Sequence, residues 1–201
     1  MPFGAKKIFL YSNFMLNTTQ LYYYRRIKLK TVGDKFPAFS LQGINENNEF
    51  VQVNVDEGYT PHKKDWSVVY FYPKDFTFIC PTEIAGMDVL AEHANVIGIS
   101  GDNEFCKLAW KKDNELIGNI NHCLAADCGL GLSHELGIVN EEAGVAYRAT
   151  FIFDKDRTIQ HVSINALDTG RNAQEILRTL KALQAGGLTG CAWDEGDELL
   201  G

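Results

Sequence analysis

The stretch Ser67–Glu92, SVVYFYPKDFTFICPTEIAGMDVLAE, decides the architecture. Its first six residues, Ser67–Tyr72, are an almost unbroken run of β-branched and aromatic side chains. A run without polar alternation reads as a strand covered on both faces. The period then changes: Ile84, Met87 and Leu90 with Ala91 recur at helical spacing across Cys80–Glu92. Pro81 suits the first helical position, where its missing N–H is an orphan anyway. The expected unit is a buried strand, a loop opened by Pro73, and a helix with Cys80 at its N-terminus.

The same reading extends in both directions. Upstream, Pro37–Leu41 and Phe50–Val55 alternate as short strands around a turn at Asn45–Asn48. Downstream, Val96–Ser100 and His122–Ala126 read as strands. Glu104–Lys112 reads as a helix with Phe105, Leu108 and Ala109 on its inner face, and Leu132–Leu136 as a short helix. Val145–Asp154 and Thr158–Asn165 form a hairpin across the charged turn Lys155–Arg157. The last helix, Asn172–Ala185, starts with Asn172 and Glu175 as a capping box, buries Ile176, Leu177, Leu180 and Leu183, and stops at Gly186–Gly187. Alternating strands and helices followed by a hairpin give an α/β fold with a mixed central sheet flanked by helices.

The chain has 201 residues, 45% hydrophobic and 22% charged, enough for one self-sufficient core. No apolar run approaches the roughly 18 residues of a membrane span. The net charge of −7 argues against nucleic-acid or anionic-membrane binding by the domain. That charge is unevenly placed. Residues 1–30 hold Lys6, Lys7, Arg25, Arg26, Lys28 and Lys30 without an acid, leaving 13 basic against 26 acidic residues in the remainder. The expected organisation is a basic aromatic extension (1–30), a folded body (31–185) and a C-terminal arm (186–201). The extension fits neither a signal nor a transit peptide well, and tail, targeting segment and an over-long start with Met15 as initiator all stay open. The five cysteines, Cys80, Cys106, Cys123, Cys128 and Cys191, are an odd number, so full intrachain pairing is impossible and a reducing compartment, the cytoplasm, is expected.

Chemistry converges on Cys80. Orphan N–H groups and the positive end of the helix dipole favour a thiolate there. Thr77, one turn earlier, is placed to aim its hydroxyl at the sulfur, and Pro73 to shield one side of the pocket. Arg148 sits in an otherwise apolar strand pattern, and a buried Arg demands an anion. Arg171 at the start of the last helix is a second candidate cation, and Glu83 is placed to bind and orient one or both guanidinium groups. Cys106 is expected to be a buried small hydrophobe, and Trp110 and Trp193 to be packing residues. His122, Cys123, Cys128 and His134 lack a Cys-x-x-Cys pair, so a zinc site is not expected.

Pro73-x-x-x-Thr77-x-x-Cys80 resembles the active-site motif of the peroxiredoxins, in the typical two-cysteine group to which the peroxidase component of bacterial alkyl hydroperoxide reductase belongs. The likeness continues in Ser100–Trp110 (SGDNEFCKLAW), Arg148–Asp154 (RATFIFD), Gly170-Arg171 and Cys191–Trp193 (CAW), spanning residues 31–196. The resemblance implies a thioredoxin-like fold and reduction of hydrogen peroxide and organic hydroperoxides. Cys80 would be the peroxidatic cysteine, with Thr77, Arg148 and Pro73 around the peroxide and Glu83 and Arg171 in support. Cys191 from a partner subunit would resolve the sulfenic acid as a disulfide, reopened by a dithiol reductant: thioredoxin, a flavoprotein reductase or a small dithiol adaptor. A homodimer, and a ring of dimers, would follow. No metal, flavin or haem is implied.

Two departures stand out. In most of the group the resolving cysteine precedes its tryptophan by four positions; here Cys191 precedes Trp193 by two, and Thr189 is four back. The Gly-Gly-Leu-Gly insert and Tyr-Phe tail of overoxidation-sensitive members are missing, which predicts a robust enzyme with an easily released arm. A ring-forming holdase or peroxide relay is the binding-class alternative. A general thiol–disulfide oxidoreductase is disfavoured by the lack of Cys-x-x-Cys.

Overall fold

A computed structural model describes residues 28–56 and 64–201. Residues 1–27 of the basic extension, and the expectations attached to them, lie outside the described residues. The strands are β1 (Phe39–Ile44), β2 (Phe50–Val55), β3 (Ser67–Phe71), β4 (Asn95–Ser100), β5 (Cys123–Ala126), β6 (Val139–Asn140), β7 (Val145–Ala146), β8 (Arg148–Phe153) and β9 (Ile159–Asn165). The helices are α1 (Cys80–Met87), α2 (Glu104–Asp113), α3 (Gly131–Leu136) and α4 (Ala173–Ala185). One seven-stranded sheet runs β2-β1-β5-β4-β3-β8-β9. Its centre, β5-β4-β3, is parallel, and antiparallel strands close both sides. The mixed sheet flanked by helices is the expected thioredoxin-like α/β architecture.

Every residue of β3 is buried, as the unbroken apolar run requires. Successive side chains leave on opposite faces. Val68, Tyr70 and Tyr72 join Cys80, Ile84, Trp110, Ile176 and Leu180 in one core, while Val69 and Phe71 join Phe36, Ile99, Leu136 and Phe151 in the other. Two cores, one per face, explain why β3 tolerates no polar alternation.

Several boundaries differ from the sequence reading, each for a local reason. β1 begins at Phe39 rather than Pro37, and pairs from Phe39↔Val55 to Ile44↔Phe50; proline has no N–H to give a ladder. The Cys80–Glu92 helix is α-helical only to Met87 and then tightens into a 3-10 turn, Asp88–Glu92. Pro81 occupies the second helical position, behind Cys80. The hairpin strand starts at Arg148, because Tyr147 N–H donates to Ile138 and β7 pairs separately with β6. The capping box is half made. Asn172 accepts from the N–H groups of Gln174 and Glu175, but the Glu175 carboxylate turns outward to Arg178.

The inner face of α2 is the largest correction. Phe105 is 65% exposed, its ring tilted against that of Phe50. Ala109 is exposed and Leu108 half-buried. Lys107, Trp110 and Lys111 point inward instead. Lysine stems are apolar, and each ammonium finds oxygen atoms: Lys107 from Ser100 and Tyr72, Lys111 from the carbonyls of Asn45 and Glu46.

Candidate active site

β3 delivers the chain to the loop Tyr72–Ile79, and α1 begins at Cys80, which has no exposed surface. Ile79 supplies no side-chain cap, so the helix start is left to its own backbone groups. Thr82 and Glu83 N–H both donate to the Ile79 carbonyl, at 3.1 and 3.2 Å.

One buried cluster unites Cys80, Glu83, Arg148 and Arg171. Arg148, first residue of β8, donates from Nη1 to Cys80 Sγ at 3.3 Å and to Glu83 Oε2 at 2.5 Å. Its Nε donates to the Leu167 carbonyl at 2.8 Å, which fixes the plane of the guanidinium. Glu83 lies one turn along α1 and is 5% exposed. Its Oε1 accepts from Arg171 Nε at 2.9 Å and Arg171 N at 3.0 Å, and its Oε2 also accepts from Arg171 Nη2 at 3.1 Å. Two guanidinium groups thus share one carboxylate, leaving a net positive charge beside the sulfur. Burial pulls the Arg148 pKa down, but the Cys80 and Glu83 acceptors outweigh it and the net shift is upward.

Not every expected residue joins. The Thr77 hydroxyl donates its single proton to the Lys74 carbonyl at 3.0 Å, not to the sulfur. Pro73 opens the loop as expected and lies half-buried. Cys191 is exposed, on an arm docked against α4 of its own chain through Arg178 Nη1 to the Trp193 carbonyl at 2.9 Å and Lys181 to Glu195 at 2.5 Å. Trp110 and Trp193 are buried packing residues. Cys106 is half-buried, and burial with the nearby Asp75 and Asp102 carboxylates pushes its thiol to about 11. Burial likewise pushes Cys123 to about 11. His122 is taken by Tyr70 and Asp88 and is not grouped with Cys123.

A second buried network, missed in the sequence, holds the loop. Lys107 Nζ donates to Ser100 Oγ at 2.6 Å and Tyr72 OH at 3.0 Å, and lies 3.5 Å from Asp75 Oδ1. Tyr72 OH donates to Asp75 at 2.8 Å. Burial raises the Asp75 carboxyl against the opposing pull of Lys107, and lowers the Lys107 ammonium against the opposing pull of Asp75. A signal exists in the sequence: Lys107 recurs with Trp110 and Lys111 at helical spacing, but polarity alone sorts charged residues to the outer face.

The AhpC/TSA family model matches residues 32–162. Alkyl hydroperoxide reductase C of Mycolicibacterium smegmatis is 37% identical over 181 residues, covering 84% of this chain and 92% of that protein. The putative peroxiredoxin YkuU of Bacillus subtilis is 38% identical over 180 residues, covering 85% and 98%. Among solved structures, reduced Plasmodium vivax 2-Cys peroxiredoxin superposes with a TM-score of 0.76 at 33% identity, covering 85% of this chain and 92% of that one. Enterococcus faecalis AhpC gives 0.73 at 30% identity, covering 86% and 100%. With the thiol–guanidinium cluster beyond the end of β3, the chain belongs to the AhpC/TSA family and is a peroxiredoxin, a thiol-dependent peroxidase.

Proposed function

We propose that this peroxidase attacks hydrogen peroxide and organic hydroperoxides with the Cys80 thiolate. The observation that carries the assignment is Arg148 Nη1, shared between Cys80 Sγ and Glu83 Oε2. A cation held by a buried carboxylate supplies fixed positive charge where negative charge develops. In the first step Cys80 sulfur takes the near peroxide oxygen. The O–O bond breaks, and the leaving oxygen departs as hydroxide or alkoxide and takes up a proton. Cys80 is then a sulfenic acid. Arg148 stabilises the leaving oxygen, and Glu83 and Arg171 hold Arg148. Thr77 and Pro73 shape the loop over the sulfur; in the resting geometry Thr77 must release Lys74 to reach a substrate.

In the second step the Cys191 thiol of a partner subunit displaces water from the sulfenic acid and forms an intersubunit disulfide. A dithiol then reduces it by exchange, returning both thiols; thioredoxin, a flavoprotein reductase and a small dithiol adaptor all have this chemistry. A homodimer and a ring of dimers complete the reading, supported by the position of β9 at the end of the sheet and by Phe78, which is 95% exposed. A reducing cytoplasm suits the odd cysteine count.

Reduced protein treated with one equivalent of hydrogen peroxide and run on non-reducing gels tests this. Wild type gives a covalent dimer; Cys80→Ser and Cys191→Ser do not. A dimer that survives Cys191→Ser moves the resolving role to another cysteine. No loss of the Cys80 thiol removes the assignment altogether.

A further inference from the structure

A second relay reaches the site from the opposite side. Arg171 lays its guanidinium over the ring of Tyr70, with Cζ 5.0 Å from the ring centroid. Tyr70 OH lies 2.8 Å from His122 Nε2, and His122 Nδ1 lies 2.8 Å from Asp88 Oδ1. Asp88 Oδ1 also accepts from Asn121 N, and its Oδ2 from Asn121 Nδ2.

Protonation states follow from the partners. Burial works to raise Asp88, but the His122 and Asn121 hydrogen bonds prevail and hold its pKa down, so it is ionised and accepts only. His122 Nδ1 therefore carries the proton. Burial holds the His122 pKa below its ordinary value despite Asp88, aided by Lys111, so the ring is neutral and Nε2 is an acceptor. Tyr70 must donate. Burial raises its pKa, with Arg171 opposing and Glu83, Asp88 and Cys80 adding to the rise, so it keeps its proton. The order is Asp88 carboxylate, His122, Tyr70 hydroxyl, Tyr70 ring, Arg171. Each hydrogen bond draws a proton toward Asp88, which enriches the Tyr70 ring in electrons and strengthens its hold on the guanidinium.

The fold makes room for this path. Tyr70 on β3 faces Gly98 on β4, which faces Leu124 on β5. A Cβ at Gly98 would lie 2.5 Å from Tyr70 Oη and 2.6 Å from its Cζ. The missing side chain on the middle strand lets the phenol cross β4 and reach His122 at the entry to β5.

We propose that Tyr70, aligned by His122 and Asp88, is a positioning residue for the peroxidase reaction: through Arg171 it fixes Glu83, and through Glu83 the Arg148 group at Cys80. The proposal rests on the assignment of Cys80 as the attacking thiolate. Arg171 bound to the ring and to both Glu83 oxygens keeps the carboxylate from drawing Arg148 off the sulfur.

The test replaces Tyr70 with phenylalanine and then with mono-, di- and trifluorinated phenylalanines, and follows Cys80 oxidation by hydrogen peroxide in rapid mixing. Fluorine drains the ring face with little change of shape. The rate constant is expected to fall stepwise, about three- to tenfold across the series, the size of a buried cation–π contact partly transmitted. A packing role leaves the series flat, and a flat series overturns the proposal. Asp88→Asn supplies an independent arm that leaves position 70 intact: alone it should slow Cys80 oxidation, and an unchanged rate overturns the relay. It should slow the wild-type ring but add nothing to Tyr70→Phe, since both break the same chain; equal slowing in both backgrounds overturns the relay. Failure of the underlying assignment shows itself differently, as wild-type protein whose Cys80 thiol survives peroxide, and it takes the proposal with it.

Discussion

Glu83→Gln is the sharpest test of the buried cluster. The substitution keeps shape and volume but removes the charge that two guanidinium groups share. Geometry makes the loss worse than neutralisation alone. If the new NH2 takes the Oε2 position, Arg148 Nη1 and Arg171 Nη2 face a donor. If it takes the Oε1 position, Arg171 Nε and Arg171 N lose their acceptor. Neither rotamer satisfies all four donors. Breaking a buried ion pair by removing one partner costs about 3–5 kcal/mol. At roughly 2–4 °C per kcal/mol for a chain of this size, the melting temperature should fall by about 6–20 °C. Thermal unfolding by circular dichroism at fixed protein concentration reads this directly. Adding Arg171→Gln should recover part of the loss, because one orphaned cation is removed, with a coupling of about 1 kcal/mol or more. A fall of less than about 3 °C would mean that the carboxylate is not the counterion of both arginines, and the reasoning fails.

Other consequences are more local. Lys107→Met leaves the Asp75 carboxyl buried without its cation and should destabilise by about 3–5 kcal/mol, with partial recovery in Lys107→Met/Asp75→Asn, both read by denaturant unfolding. Gly98→Ala drives a Cβ against the Tyr70 phenol, so it should cost about 1–3 kcal/mol and slow Cys80 oxidation, whereas an effect on stability alone would disconnect Tyr70 from the site. The buried, neutral His122 refuses a proton that an unfolded histidine near 6.5 accepts. Its contribution to stability is therefore complete above pH 6.5 and erodes as pH falls through the depressed folded value. His122→Gln should remove up to about 1.4 kcal/mol per pH unit from that slope, leaving the parallel contribution of half-buried His161.

The sequence made some of this legible because single residues broke a strong pattern. Arg148 interrupts an apolar strand, and that misfit alone pointed to a buried anion, which is Glu83. The run Ser67–Tyr72 announced a doubly covered strand without needing its neighbours. What stayed hidden were pairings made only in three dimensions. Tyr70 and His122 are 52 positions apart, and Asp88 and His122 are 34 apart. In sequence Tyr70 is one more aromatic in an apolar run, and Gly98 one more small residue in a strand. Their meaning depends on strand register, which places them opposite each other. Lys107 was hidden for another reason: a helical wheel sorts residues by polarity, whereas a long apolar stem can carry an ammonium to buried oxygen atoms. Thr77 shows the opposite error, since spacing fixed its place but not which acceptor its hydroxyl would choose.

The arm and the first turn of α1 together decide the fate of the oxidised sulfur. Cys80 has no exposed surface, and Cys191 is exposed on an arm held to its own α4. A disulfide between subunits therefore needs local opening in both places. At α1 the opening loses the Thr82 and Glu83 N–H bonds to the Ile79 carbonyl and the Thr82 hydroxyl bond to the same oxygen, about 1 kcal/mol each. On the arm Trp193 is 6% exposed and its carbonyl accepts from Arg178 of α4 at 2.9 Å, while its Nε1 bond to the Asp197 carbonyl stays within the arm. Its ion pair is weak support, because Glu195 is 68% exposed. An arm held by one buried indole and two side-chain links to α4 releases readily, so resolution should outrun a second oxidation of Cys80. Trp193→Ala should speed intersubunit disulfide formation and lower the sulfinic acid that mass spectrometry finds after repeated peroxide additions. If the variant instead accumulates more sulfinic acid than wild type, the docked arm is what presents Cys191, and release is not the step that protects the enzyme.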